Sequence, residues 1–484
     1  MKPLQDPSLL KSLAFINGQW IDADSGERSN VLNPSTGEIL ASVPVMGEAE
    51  TQRAIEAAAT AMTAWKKTSA LERSRILRLW FDLLIEHTED LATILTSEQG
   101  KPLAEARAEI AYGAGYIEWF AEEAKRIYGD IIPAPSADRR LVVIKQPVGV
   151  CAAITPWNFP NAMITRKVAP AIAAGCAVVL KPASQTPLSA LALAELGVRA
   201  GIPAGLFNVV TGKASAIGRA LTASPTVRKL TFTGSTGVGK MLMEQCAGTV
   251  KKVTMELGGN APFIIFEDAD IDAAVSGLMA AKFRNSGQTC VCVNRVLVQD
   301  SIYDQFSAKL CAAVAALKVG DGFAEGVQQG PLIDNAAVSK VDELVADAVA
   351  RGATVLLGGS KHALGGTFFE PTVIGDATSD MQFAQEEIFG PVAPLFRFST
   401  ESEAVALANA TDVGLASYCY TRDLGRAWRV AEDLEYGIAG VNTGLISNPM
   451  APFGGIKESG LGREGSKYGI EDYLTIKYIC FAGI

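Results

Sequence analysis

Histidine is almost absent from this chain: 484 residues hold two, His87 and His362. The commonest way to activate a thiol or hydroxyl nucleophile, with an imidazole taking its proton, is therefore poorly supplied. His87 ends the amphipathic stretch Leu83-Leu84-Ile85-Glu86-His87, and His362 lies in the loop-like Lys361-His362-Ala363-Leu364-Gly365-Gly366, so both read as surface residues. Paired cysteines are missing too. The eight cysteines include no Cys-x-x-Cys, which argues against a zinc cage or a disulfide scaffold, and no metal site is expected. No apolar run approaches the ~20 residues of a membrane helix. The longest, Ala169 to Leu180, carries Pro170 and Gly175, so no membrane partner is expected. Met1-Lys2-Pro3-Leu4-Gln5-Asp6-Pro7 lacks the basic start and apolar stretch of a signal peptide, and the expected address is the cytoplasm. An excess of positive charge is also lacking: 43 Lys and Arg stand against 52 Asp and Glu, a net charge of -9. That opposes binding to phosphate backbones, and nucleic acid is not expected as a partner.

What remains is a globular composition, 49% hydrophobic and 20% charged, long enough for two or three units of ~150 residues. Apolar spacings of three and four predict helices over Glu48 to Trp65, Ala70 to His87 and Leu103 to Ile127. Arg140 to Pro147 then reads as a strand. From Val148, short apolar strands (Val148 to Ile154, Ala177 to Lys181, Leu206 to Val210, Lys229 to Thr233) alternate with helices (Ala162 to Ala174, Leu188 to Ala200, Ala214 to Leu221, and one opened by Gly234-Ser235-Thr236). This repetition predicts an α/β fold with a parallel sheet covered on both faces and ligand crevices at the carboxyl ends of its strands. A second alternating section runs from about Pro262 to Tyr420, with Arg295 to Val298, Thr354 to Leu357 and Ala416 to Tyr420 as strands. Leu474 to Ile479 closes the chain as another.

Four segments place apt side chains beside turns. Thr155-Pro156-Trp157-Asn158-Phe159-Pro160 follows a strand, and the Asn158 amide can stabilise an oxyanion. Lys181-Pro182-Ala183-Ser184 ends the next strand, where Lys181 can reach a ribose or phosphate. Glu256-Leu257-Gly258-Gly259-Asn260 sets a carboxylate between the two α/β sections. Phe283-Arg284-Asn285-Ser286-Gly287-Gln288-Thr289-Cys290-Val291-Cys292 presents a thiol. Taken singly, each has a plain structural reading: Asn158 and Glu256 as caps, Lys181 as a solvated cation, Cys290 as a packed thiol. Gly234-Ser235-Thr236-Gly237-Val238-Gly239 departs from Gly-x-Gly-x-x-Gly and is weak alone.

Together, these segments resemble the aldehyde dehydrogenase superfamily, joined by Phe232-Thr233-Gly234-Ser235 and Glu386-Glu387-Ile388-Phe389-Gly390-Pro391, all in family order from about Phe15 to the C-terminus. The resemblance implies two Rossmann-like α/β domains with parallel sheets and a small β oligomerisation element. It makes Cys290 the nucleophile and Glu256 the general base, with Asn158 in the oxyanion hole. It puts Thr155, Pro156, Trp157, Lys181, Ser184, Gly234, Ser235, Glu387 and Phe389 around a nicotinamide dinucleotide. A thiolate adds to the aldehyde, hydride leaves, and water cleaves the thioester. Members that pass the acyl group to coenzyme A tend to lack the glutamate, so Glu256 favours hydrolysis to a free acid. NAD-preferring members place a Glu where this chain has Ser184, and with Lys181 close by NADP is expected to be preferred, NAD remaining possible.

Ala162-Met163-Ile164-Thr165-Arg166-Lys167, Phe283-Arg284-Asn285 and Gly462-Arg463-Glu464-Gly465-Ser466-Lys467-Tyr468-Gly469 are similar to the succinate-semialdehyde dehydrogenases. That likeness implies that Arg166, Arg284 and Ser447 hold a substrate carboxylate, with glutarate semialdehyde as nearest rival because one methylene discriminates weakly. The alternative of a different class is a thiol hydrolase using Cys290 and Glu256 without a nicotinamide. Cys292, two residues on in a segment expected to be extended, raises the possibility of a Cys290–Cys292 bridge. By the same resemblance residues 1-128 and 148-256, with part of 451-465, form the cofactor-binding domain, 257-450 the catalytic domain, and 129-147 with 466-484 a bridging element that makes a homodimer or homotetramer.

Overall fold

The computed structural model describes residues 1–483; Ile484, the last residue of the expected bridging element, lies outside them. Two large sheets and one small one organise the chain. In the first, the five central strands run in the order Phe207–Val209, Val178–Lys181, Val150–Ile154, Val227–Thr233, Lys252–Glu256, all parallel. Sequential strands thus build outward from Val150–Ile154 in one direction and then, after Phe207–Val209, in the other. The reversal leaves a crevice beyond the carboxyl ends of Val150–Ile154 and Val227–Thr233, where Thr155 to Asn158 and Gly234-Ser235 emerge. Antiparallel edges that the sequence reading did not anticipate complete this sheet: Ala14–Ile16 with Gln19–Ile21 on one side and Gly460–Leu461 on the other.

The second sheet is ordered Thr354–Leu357, Thr372–Gly375, Val392–Phe398, Val293–Gln299, Ala261–Ile265, Ala416–Tyr420, Ile438–Val441, parallel except for its first pair. Its two faces carry separate apolar cores. The first sheet shares one core with the helices Glu48–Trp65, Ala70–Glu86, Thr88–Gln99 and Leu103–Glu123. Such two-sided burial explains the unbroken apolar strands Val178–Lys181 and Ala261–Ile265. The third sheet pairs Arg139–Pro147 with Asp130–Ile132 and with Leu474–Ala482, the latter in unbroken antiparallel register from Leu474 opposite Pro147 to Ala482 opposite Arg139.

The helix Thr88–Gln99 was not expected. Residues 90 to 99 are all buried although six of them are polar, Asp90, Thr93, Thr96, Ser97, Glu98 and Gln99, so side-chain polarity does not mark which face of this helix meets solvent. It stops at Gly100, whose φ of +91° is left-handed and where a Cβ would stand 2.6 Å from Pro331. No helix among the described residues is long and apolar enough to cross a membrane.

Candidate active site

The Cys290 loop follows the helix Ile271–Lys282. Asn285 (φ 52°), Ser286 (φ 55°) and Gly287 (φ 76°) succeed one another in left-handed conformations, a sharp reversal that costs free energy at each non-glycine position. A Cβ at Gly287 would meet the Gly390 carbonyl oxygen at 2.1 Å, so this loop is pressed against Gly390-Pro391. Hydrogen bonds hold the turn: the Asn285 N–H donates to Glu105 Oε2 at 2.8 Å, and the Ile333 N–H to Gln288 Oε1 at 2.9 Å. The result is a half-buried thiol at the amino end of Val293–Gln299, facing the carboxyl ends of the first sheet.

Cys290 stands where two cavities meet. One, of about 320 Å³, is lined by Pro156, Trp157, Asn158, Gly234, Ser235, Glu387 and Phe389 as well as Cys290. The other, of about 210 Å³, is lined by Arg166, Arg284, Ser447 and again Cys290, with Phe159, Tyr112 and Phe453 supplying apolar wall. Eleven of the expected residues are thereby brought to two spaces sharing one sulfur. A third cavity, of about 350 Å³, contains Ser184 along with Glu27, Arg28 and Lys213. Thr155 and Lys181 sit behind these walls, the Thr155 N–H donating to the Lys181 carbonyl at 3.1 Å. Glu256 lines neither cavity at the thiol; it is buried at the end of its strand, and a Cβ on Gly454 would lie 2.9 Å from its Oε1.

The Asn158 side chain is oriented unambiguously. Its Oδ1 accepts from the Phe159 N–H at 3.1 Å and its Nδ2 donates to the Gln288 carbonyl at 3.0 Å, so the NH₂ faces the cavity of Cys290. One of its hydrogens remains free for a ligand oxygen. A Cβ on Gly259 would stand 2.6 Å from the Cys290 carbonyl, and glycine lets the Glu256 strand end pass that closely.

Electrostatics separate the buried carboxylates. Burial, then the Glu464 carboxylate, push Glu256 well above the usual carboxylate range, against Arg166 and Lys167; both its oxygens are without a hydrogen-bond partner. For Glu464 burial acts in the same upward sense, yet Arg166 and Lys167 outweigh it and hold Glu464 low. Both cations contact Glu464 directly. Burial and then Glu387 drive the Cys290 thiol up to about 12, with Arg166 opposing. Glu387 itself is raised to about 7, chiefly by burial. The thiol is thus neutral at pH 7, and the Glu256 carboxyl, buried and without a hydrogen-bond partner, holds its proton more tightly than an ordinary carboxylate does.

Glu464 was quoted in a motif but given no role by the sequence reading. Nothing local marks it, because its importance comes from Arg166 and Lys167 nearly three hundred residues earlier. The extended Cys290-to-Cys292 segment is not found. The Cys292 N–H donates to the Thr289 carbonyl at 2.8 Å in a turn, and its Sγ lies 3.5 Å from the Lys282 carbonyl oxygen. The two histidines are partly exposed and line none of these cavities.

The residues present fit a nicotinamide dinucleotide. Thr155 Oγ1 and Thr233 Oγ1 are buried without hydrogen-bond partners beside the crevice. Lys181 is a buried ammonium brought down to about 8 by burial, and its one hydrogen bond among the described residues is to Ser184 Oγ at 3.4 Å. An anion there would restore its charge. Among the described residues no group of three His, Cys, Asp or Glu side chains could hold a metal ion.

The profile of the aldehyde dehydrogenase family matches residues 20–479. The chain is 64% identical to a 3-sulfolactaldehyde dehydrogenase of Pseudomonas putida over the full length of both. It is 63% identical to a glutarate-semialdehyde dehydrogenase of Pseudomonas aeruginosa, over 99% of this chain and 100% of that one. It is likewise 63% identical to the NADP(+) succinate-semialdehyde dehydrogenase of Escherichia coli, over 99% of each. The crystal structure of succinate-semialdehyde dehydrogenase from Burkholderia pseudomallei superposes with a TM-score of 0.99 at 61% identity, covering 99% of this chain and 100% of that one. The chain belongs to the aldehyde dehydrogenase family.

Proposed function

We propose that this protein oxidises an aldehyde with an anionic far end, succinate semialdehyde first, to the free carboxylic acid, using NADP in preference to NAD. The observation that carries the reading is the shared position of Cys290: one sulfur borders a cavity with two guanidinium groups and another with the groups suited to a dinucleotide. The named activities of the relatives support it, since 3-sulfolactaldehyde, glutarate semialdehyde and succinate semialdehyde each join an aldehyde to an anionic group.

Arg284 is the freer of the two cations. Its Nε is buried without a hydrogen-bond partner, and it makes no ion pair among the described residues, whereas Arg166 is partly neutralised by Glu464. Arg284 therefore anchors the substrate anion, with Arg166 and Ser447 completing the grip. Anchoring one end aims the aldehyde at Cys290. As Cys290 passes its proton to a water molecule and its sulfur adds to the carbonyl carbon, the Asn158 amide and the Cys290 backbone N–H receive the developing oxyanion. A bound nicotinamide dinucleotide supplies the hydride acceptor, and Lys181, Ser184, Ser235 and Glu387 hold it. The acyl group is left as a thioester on Cys290. Glu256 then swings from its pocket beside Gly454 toward the thiol and takes a proton from the hydrolytic water. Its raised affinity for protons suits that task.

Residues 1-128 and 148-256 with part of 451-465 form the cofactor-binding domain, 257-450 the catalytic domain, and 129-147 with 466-483 the bridging element. Exposed Ile131, Ile476 and Tyr478 on that third sheet support a homodimer or homotetramer. Steady-state formation of reduced cofactor from succinate semialdehyde, glutarate semialdehyde and an uncharged aldehyde, each with NADP and NAD, tests the reading. No reduced cofactor from any pair would return the thiol hydrolase to first place, and a higher kcat/KM for glutarate semialdehyde would reassign the substrate.

A further inference from the structure

Lys101 lines neither cavity, yet it is a fully buried cation close to them. It and its partner Glu109 have no exposed side-chain surface, and the ammonium donates to Glu109 Oε2 at 2.6 Å. It also donates to the carbonyl oxygen of Asn158 at 2.8 Å and stands 3.8 Å from the centre of the Phe159 ring. The other Glu109 oxygen accepts from the N–H groups of Asn161 and Ala162 at 2.9 and 3.2 Å. Apart from each other, the two side chains therefore grip only the turn from Asn158 to Ala162. An isolated buried ion pair is a poor source of stability, since apolar residues of like volume fill such a space as well.

The Asn158 carbonyl and the Phe159 N–H belong to one rigid peptide unit. Lys101 holds the oxygen from one side and Asn285 Nδ2 holds it at 3.0 Å from the thiol loop. The N–H at the other edge donates to Asn158's own Oδ1. Fixing the oxygen thus fixes the plane, the plane fixes the side-chain amide, and a cation on the oxygen polarises the N–H that grips Oδ1. We propose that Lys101, clamped by Glu109, is a positioning residue that aims the Asn158 amide at the oxygen of a substrate bound to Cys290. The inference rests on the oxyanion role given to Asn158 above.

The double variant Lys101→Met/Glu109→Gln leaves no unpaired ion buried. Its burst of reduced cofactor with succinate semialdehyde and NADP is expected to slow by ~100-fold, the loss typical of one oxyanion donor. Alkylation of Cys290 by iodoacetamide, which develops no oxyanion, is expected to keep its wild-type rate. In an Asn158→Ala background the same pair of changes should cost no more than about twofold, because the route through Asn158 is already gone. A burst within about twofold of wild type, or an equal loss with and without Asn158, overturns the proposal. So does a parallel fall in alkylation, which would make the pair a general support of the thiol loop. Should the double variant not fold, Lys101→Arg keeps the charge beside Glu109 while displacing the donor to Asn158, with ~10-fold slowing expected and an unchanged burst overturning the idea. A wild-type protein that forms no reduced cofactor would sink the underlying reading and the inference with it; a normal wild-type rate of hydride transfer shared by the variants sinks the inference alone.

Discussion

On one side of Cys290 the wall is largely rings and backbone, joined by Asp334, Lys340 and Glu387: Trp157 meets Phe389 edge-on with centroids 5.5 Å apart, and Gly234 and Gly258 let the chain pass close. On the other side the wall carries two guanidinium groups, Arg166 paired with Glu464 and Arg284 without an ion pair among the described residues. The first kind of wall offers shape and a few unpaired donors. The second offers charge that burial would quench were it not balanced: burial is the largest single influence on Arg166 and opposes its charge, yet Glu464, together with Tyr116, Tyr112 and Glu256, more than offsets it. The pairing that keeps Arg166 cationic also raises Glu256, since Glu464 is the like charge pressing on that carboxyl. Substrate grip and base strength are thereby linked through one acid, while the ring-lined side is independent of both.

The harshest way to test the division is to remove what the cavities share. Cys290→Ala should lower turnover by at least ~10⁴-fold while NADP still binds, read by fluorescence titration. Glu256→Gln should preserve one fast burst of reduced cofactor and slow later turnovers by ~10²–10³-fold. It should also raise thermal stability. A carboxyl whose folded pKa is raised binds protons more tightly folded than unfolded, so it stabilises below its unfolded pKa, and that contribution is lost as pH rises toward the folded value. At pH 7 to 8 the amide avoids the loss, and the variant should melt at the higher temperature in a calorimeter. Next, Arg284→Leu should raise KM for succinate semialdehyde roughly 30-fold or more, with little change for an uncharged aldehyde. Arg166→Leu should lower kcat as well, because it unbalances Glu464; equal kcat for the two variants would break the proposed link. The smallest effect belongs to the cofactor side. Lys181 loses its proton near pH 8 in the free protein, so the ratio of KM for NADP to KM for NAD should rise a few-fold between about pH 7 and pH 9.

How legible each side was follows from the same contrast. Ala162–Ala174, Thr354–Leu357 and Ala416–Tyr420 have the bounds their apolar runs suggested, and the turn after a strand singled out Asn158, whereas Trp157 and Ser235 drew their roles only from resemblance. Arg166 and Arg284 were found only through resemblance, because a lone arginine carries no spacing signal. Glu464 and the Lys101–Glu109 pair went unread for a related reason. A buried ion looks in sequence like any surface charge, and only its partner, far along the chain, changes its meaning. The extended form expected for Cys290 to Cys292 failed because three consecutive left-handed residues set the loop's direction, and of these only Gly287 advertises such a conformation.

The pairing of Arg139–Pro147 with Leu474–Ala482 has a consequence for how the protein is made. At about 5–20 residues per second of synthesis, the earlier strand waits tens of seconds on the ribosome before its mate exists. During that interval its apolar residues and open edge stand free beside other growing chains, a hazard for which holding chaperones are suited. Closure of this small sheet is therefore a late event of biogenesis, and it ties maturation of the sheet to the arrival of Leu474–Ala482.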